Sequence, residues 1–154
     1  DHITLIDPYF DPSKPKYVQF LAAIFQFIKA NQLASYQIEI HCVDHDRRDA
    51  FGSQKRASER LIQPHVPHGC RIRINYWKQK LHGEDFHDRF LINAHGGMSV
   101  GAGFSIEGPH ETTNIAIMND QHASEILARF EAPAEIYERQ ADWISLKHII
   151  DRAD

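Results

Sequence analysis

The chain has 154 residues, 42% hydrophobic and 25% charged, the make-up of one globular domain rather than of a disordered or fibrous chain. A net charge of −4 argues against broad, non-specific attachment to phosphate backbones and leaves only local basic clusters for that role. No apolar run reaches the ~20 residues that span a bilayer, and a start at Asp1 without a charged-then-apolar leader fits a domain excised from a longer protein.

Residues 3–7 form a short apolar run closed by Asp7-Pro8, the pattern of a buried strand and a turn. Asp11-Pro-Ser-Lys-Pro15 opens a helix, because proline suits a first turn that needs no amide donors. Val18, Leu21, Phe25 and Ile28 then recur at three- and four-residue steps and give one apolar helical face up to Ala30. Residues 37–43 are β-rich and partly alternating, a second strand, and residues 44–52 follow as a charged loop. Residues 54–63 make a short polar helix with Ala57, Leu61 and Ile62 inward, closed by Pro64, Pro67 and Gly69.

Residues 71–77 alternate cleanly, with Ile72, Ile74 and Tyr76 on one face and Arg71, Arg73 and Asn75 on the other. Residues 78–85 are a polar connection. Residues 86–93 and 98–101 are strand-like and flank Ala94-His-Gly-Gly97, the pattern of a hairpin. Residues 112–118 add a strand. Asp120 caps a helix that turns Ala123, Ile126, Leu127 and Phe130 inward, and residues 136–150 are expected to form a last amphipathic helix bearing Trp143, Leu146 and Ile150. The predicted order is β-α-β-α-β-β-β-β-α-α, an α/β fold with a mixed sheet flanked by helices on both faces.

Cys42 and Cys70 fall in or beside apolar strand runs and are expected to be buried thiols, which fits a reducing, cytoplasmic setting. The eleven histidines show no closed Cys/His set at zinc spacing, so no metal or other cofactor is expected.

The chemistry concentrates in residues 86–104. His87 and Arg89, two apart in a predicted strand, would share a face and meet one phosphate together. Imidazole can attack or protonate, and guanidinium is a fixed fork for phosphate oxygens. Gly101 and Gly103 on the returning strand are small enough to let backbone amides approach an anion. Asp88 points to the other face. A buried His–Asp–Arg cluster that merely pins the hairpin is the alternative. Lys78 and Lys80 can make the mouth of the site positive, and Arg47 and Arg48 are similar candidates.

This stretch resembles the signature of the phospholipase D superfamily: a His, a Lys two residues on, an Asp, then Gly-Ser and an Asn. His87 stands at the nucleophilic His, Arg89 at the Lys, Ala94 at the Asp, Gly101-Ala102 at Gly-Ser and Phe104 at the Asn. Asp7-Pro-Tyr9 after the first strand, with His87-Asp-Arg89 before a Gly-containing hairpin, is similar to the C-terminal phospholipase-D-like domains of MIT-domain, ESCRT-III-associated proteins. The resemblance implies a phospholipase-D-like fold across residues 1–154. Enzymes of the superfamily use two such His, so a chain with one motif implies a homodimer with His87 as catalytic nucleophile. Replacement of the Asp, Ser and Asn implies instead a non-catalytic or weakly catalytic module, with Asp85 and Glu84 as the carboxylates near His87 in sequence. That module would bind a phosphate-bearing ligand, a membrane phospholipid or nucleic acid, or a protein partner, through His87, Arg89, Gly101, Gly103, Lys78 and Lys80.

Overall fold

The computed structural model describes residues 2–44, 51–80, 85–104, 112–131 and 136–149. The expected positions Arg47, Arg48 and Glu84 lie outside them. The elements run β1 (His2–Ile6), α1 (Pro15–Ala30), β2 (Tyr36–Val43), α2 (Phe51–Leu61), a 3₁₀ turn (Gln63–His65), β3 (Cys70–Gln79), β4 (Phe90–Asn93), β5 (Gly96–Val100), β6 (Ile115–Met118), α3 (Asp120–Ala128) and β7 (Tyr137–Lys147). One seven-stranded mixed sheet carries them in the order β6-β5-β4-β1-β2-β3-β7.

β1, β2 and β3 are parallel neighbours, so each connection must cross over one face. Right-handed crossovers that advance across a sheet in one direction put successive helices on the same side. α1 accordingly packs Tyr17, Leu21, Phe25 and Ile28 on Ile3, Leu5, Ile38, Ile40, Ile72 and Ile74, and Phe51 of α2 joins the same cluster at the Tyr76 ring. Leu21 is fully buried, and such a side chain contributes about 1.5–3 kcal/mol. The turn into β3 depends on Gly69, which sits at φ +75° with Ala34 O 2.2 Å from where a Cβ would stand.

The opposite face is closed in part. α3 lays Ala123 and Ile126 on Ile6, Ile92 and Met118, and Phe130 beyond its end packs among Trp77, Phe86 and Tyr137. Asn119, one residue before the expected cap, accepts from the His122 amide at 2.8 Å and starts the helix.

Two expectations need correction. The last helix is absent: residues 137–147 form β7, antiparallel to β3, with Ile144 opposite Ile74 and Leu146 opposite Ile72. Ile144 and Leu146 bury two residues apart on the α1 face once β3 offers an open edge, and Tyr137 buries on the opposite face, whereas Trp143, expected inward, is 50% exposed. The first arm of the hairpin begins only at Phe90, so residues 85–89 precede the strand.

Both cysteines are buried free thiols, and burial pushes the Cys70 thiol up to about 11. Among the described residues no helix is long and apolar enough to cross a membrane.

Candidate functional site

The site forms where β1 ends. Asp7 closes the parallel strand: its amide pairs with His41 O at 3.0 Å, and its Oδ1 accepts from the Tyr9 amide at 2.9 Å. That local bond is the side-chain mimic of a turn expected of Asp before Pro, and it leaves Tyr9 43% exposed while Phe10 is buried.

Arg89 comes to this corner from the segment before β4. Its Nε lies 3.6 Å from Asp7 Oδ1, its Nη1 donates to Gly101 O at 2.8 Å, and its guanidinium sits 5.0 Å from the centre of the Tyr9 ring. Asp7 is 1% exposed at its side chain and Arg89 19%, so the pair is a largely buried one. The segment after β5 passes beside Arg89: Gly103, at φ +107°, holds a conformation that L side chains rarely adopt, and a Cβ there would touch Arg89 Nε at 3.4 Å.

His87 stands outside this clasp, 63% exposed at its side chain. Its Nδ1 is 3.4 Å from Tyr9 Oη and its Nε2 is 3.3 Å from Asp85 Oδ2. Asp85 is itself gripped by Gln79, whose Nε2 donates to Oδ1 at 2.7 Å. That hydrogen bond, with His87 beside it, holds the Asp85 carboxyl below its ordinary range. The ring of His87 is therefore oriented from both nitrogens by Tyr9 and a carboxylate.

No protein-family model and no curated protein matches the chain. The functional reading rests on these side chains.

The structure thus brings His87, Arg89, Gly101 and Gly103 into one corner, though not as one strand face: His87 and Arg89 meet through Tyr9, upstream of β4. The amides expected to cradle an anion are used elsewhere. Gly101 N donates to Asn114 O at 2.9 Å and Ala102 N to Thr113 Oγ1 at 3.0 Å. Lys78 does not join the corner; its Nζ turns to Asp44 at 3.9 Å. Lys80 follows β3, and it is Gln79, between the two lysines, that reaches the site through Asp85. Ala94 lies at the hairpin tip beyond β4, and Phe104 packs on Phe20 of α1 at 4.8 Å, so neither faces His87.

Beside Arg89 a cleft of about 540 Å³ runs along β5 and β6, lined by Asp88, Arg89, Gly101, Asn114, Asn119 and His122 among others. Asp88, expected to serve the fold, is exposed at its rim. Of the two carboxylates near His87 in sequence, Asp85 is the one that reaches it among the described residues. Sequence reading missed His122 as a cleft residue, because α3 docks on the sheet only in three dimensions. Among the described residues no group of three His, Cys, Asp or Glu side chains converges as a metal site would require.

Proposed function

We propose that the chain is a phospholipase-D-like module that binds a phosphate-bearing ligand at the Tyr9–His87–Arg89 corner, with little or no catalysis of its own. The supporting observation is the division of labour in Arg89. Nε and Nη1 are held by Asp7 and Gly101, which fixes the guanidinium plane, while Nη2 has no hydrogen-bond partner among the described residues. A preorganised cation beside an exposed, doubly oriented imidazole and a phenol is suited to one phosphate group. The polar groups that would complete phosphoryl-transfer chemistry are missing at Ala94, Ala102 and Phe104, and loss of one such donor typically lowers rate by ~10²–10³.

Titration of the purified chain with inorganic phosphate and with a small phosphodiester such as glycerophosphoinositol, followed by NMR of the imidazole and amide signals, tests this. Binding should shift His87 and the amides of residues 85–89. Arg89→Lys should weaken it by about tenfold or more, since a point charge does not replace the fork, and Lys78→Ala should change it little. Phosphate that leaves every signal in place, or binds the folded Arg89→Lys protein unchanged, refutes the reading and makes the cluster a hairpin clasp, in keeping with a protein-binding or structural domain.

One observation favours a second reading, a homodimeric phosphodiesterase with His87 as nucleophile. Asp85 at 3.3 Å supplies the orienting carboxylate that the sequence motif lacks. Hydrolysis of bis(4-nitrophenyl) phosphate that disappears in His87→Ala and falls in Asp85→Asn would establish it; absence of turnover leaves the binding module.

A further inference from the structure

A second surface lies at the other end of the sheet. Both crossover helices occupy one face, and α3 covers only the β1, β4, β5 and β6 side of the other. Phe130 and its aromatic neighbours close that face over His41 and Trp77, the end at the start of the parallel strands is left open, and the register between strands fixes which residues share the face. Next to the start of the parallel strands lies the row His2–Gln37–Arg71–Lys147, followed by Thr4–Glu39–Arg73–Ser145, then by Asn75 beside Trp143 and Trp77 beside Arg139. The side chains confirm the common face: Arg73 lies over the Trp143 ring at 4.8 Å, and Arg139 donates to Asn75 Oδ1 at 2.6 Å.

The strand residues of this face, Arg71, Arg73, Arg139 and Lys147 with Glu39, sum to +3 on a chain whose total is −4, and Glu131 borders the face beside His2 and Glu39. Glu39 is occupied by the Asn75 amide at 2.8 Å and by His2 at 3.6 Å. Arg71 and Lys147 stand directly opposite each other, both exposed, and among the described residues neither enters an ion pair. Like charges facing each other across a ladder are destabilising, so this pair is a cost unless an anion sits between them. At the same end opens a cleft of about 710 Å³, lined by His2, His68, Arg71, Lys147 and His148 among others and by no carboxylate. Beside the cations, Trp143 shows half its surface, with one ring face already packed on a guanidinium.

We propose that this open sheet face binds single-stranded nucleic acid, with Arg71, Lys147 and Arg73 on successive phosphates and Trp143 as a stacking platform for a base. Residues two apart on β3 are separated by roughly 6.6 Å, which suits neighbouring phosphates of an extended strand. The exposed indole decides between anionic partners: an acidic peptide would use the charges alone, whereas unpaired bases use charge and a flat aromatic together. The surface is distinct from the Tyr9–His87–Arg89 corner, which lies past the opposite ends of the same strands.

Fluorescence anisotropy of a labelled fifteen-nucleotide oligo(dT) with the purified chain, at two salt concentrations, is the test; a duplex of equal length and a polyglutamate peptide serve as competitors. Three phosphate contacts predict a log–log salt slope of about −2. The double variant Arg71→Ala, Lys147→Ala should flatten that slope and lose most of the affinity. Trp143→Ala should weaken binding about tenfold and Trp143→Phe should restore it. Lys55→Ala, a charge removed from α2, serves as the control for net charge and should leave binding within twofold, roughly the scale of a screened, distant charge. Thermal melts confirm that each variant is folded. Oligo(dT) binding unchanged in the double variant, duplex bound as tightly as the single strand, or polyglutamate displacing the oligonucleotide with equal affinity would each overturn the proposal, the last in favour of an acidic protein partner.

Discussion

Arg89 illustrates how one side chain ties the fold to the site. Its contact with Asp7 joins the end of β1 to the segment before β4, and removal of the guanidinium would take a cation away from a carboxylate whose side chain is 1% exposed. Breaking a buried pair from one side typically costs 3–5 kcal/mol, so Arg89→Ala should lower stability in urea unfolding by about 3 kcal/mol. Asp7→Asn, which keeps an oxygen for the Tyr9 amide, should cost less. The double variant should fall well short of the sum, because the buried negative charge is then gone. Additive losses would mean that the two groups do not act as a pair.

His41 is a second residue with a measurable signature. The Trp77 indole N–H, a donor only, points at its Nδ1 from 3.0 Å, so the neutral ring carries its proton on Nε2, 4.0 Å from Glu39 Oε1. Burial first, and then the charge of Arg139 with smaller contributions from His2 and Arg73, lowers its pKa from 6.5 to about 3. The unfolded chain therefore binds a proton that the folded chain refuses throughout the interval between those values. Stability from this group is full above the unfolded value and is lost as pH falls towards the folded one, with a slope near 1.4 kcal/mol per pH unit. Urea unfolding at pH 7 and pH 5 should separate the wild type from His41→Gln by about 2 kcal/mol in their pH response. Identical pH responses would show that His41 is not held neutral.

At the scale of elements, the strands and helices that pack on both sides were legible, and the one whose partner is distant was not. Ile72, Ile74 and Tyr76 alternate with charged residues and gave β3 its face; Leu21, Phe25 and Ile28 gave α1 its face. Residues 137–147 carry Trp143, Leu146 and a scatter of charges that satisfies a helical period as readily as an alternating one. The open edge of β3 decides the matter, and no local pattern reports an edge seventy residues away. The same holds at the site. His87, Arg89 and the glycines could be picked out by residue type, but the partners that give them geometry come from elsewhere in the chain, Tyr9 from the turn after β1 and Gln79 from the end of β3. Hydrogen exchange tests β7 directly. An edge strand protects only the amides that point to its neighbour, so alternate amides through residues 139–147 should exchange slowly and those between them fast. Uniform protection over this stretch would require the helix.

For the whole molecule, the two apolar clusters lie on opposite faces of one sheet, and the question is whether they fail together. The cluster under α1 contains Ile3, Leu5, Ile72 and Ile74, and the cluster under α3 contains Ile6, Trp77 and Ile92. Residues of β1 alternate between the two, and so do those of β3, so neither cluster can lose its floor while the other keeps its own. A chain of this size with one shared sheet should unfold as a single cooperative unit. Phe25→Ala removes a side chain 3% exposed from the first cluster, and Phe130→Ala removes one 7% exposed from the second. Each should cost about 3–5 kcal/mol, the usual loss for a buried phenylalanine. The decisive result is in the shape rather than the size. Circular dichroism at 222 nm, which follows the helices, and fluorescence of Trp77, which sits in the second cluster, should give superimposable urea transitions in the wild type and in both variants. If Phe130→Ala moved the fluorescence transition to lower urea while the dichroism transition stayed in place, the α3 side would be an independently melting layer, and the clasp between Asp7 and Arg89 would be the seam between two folding units.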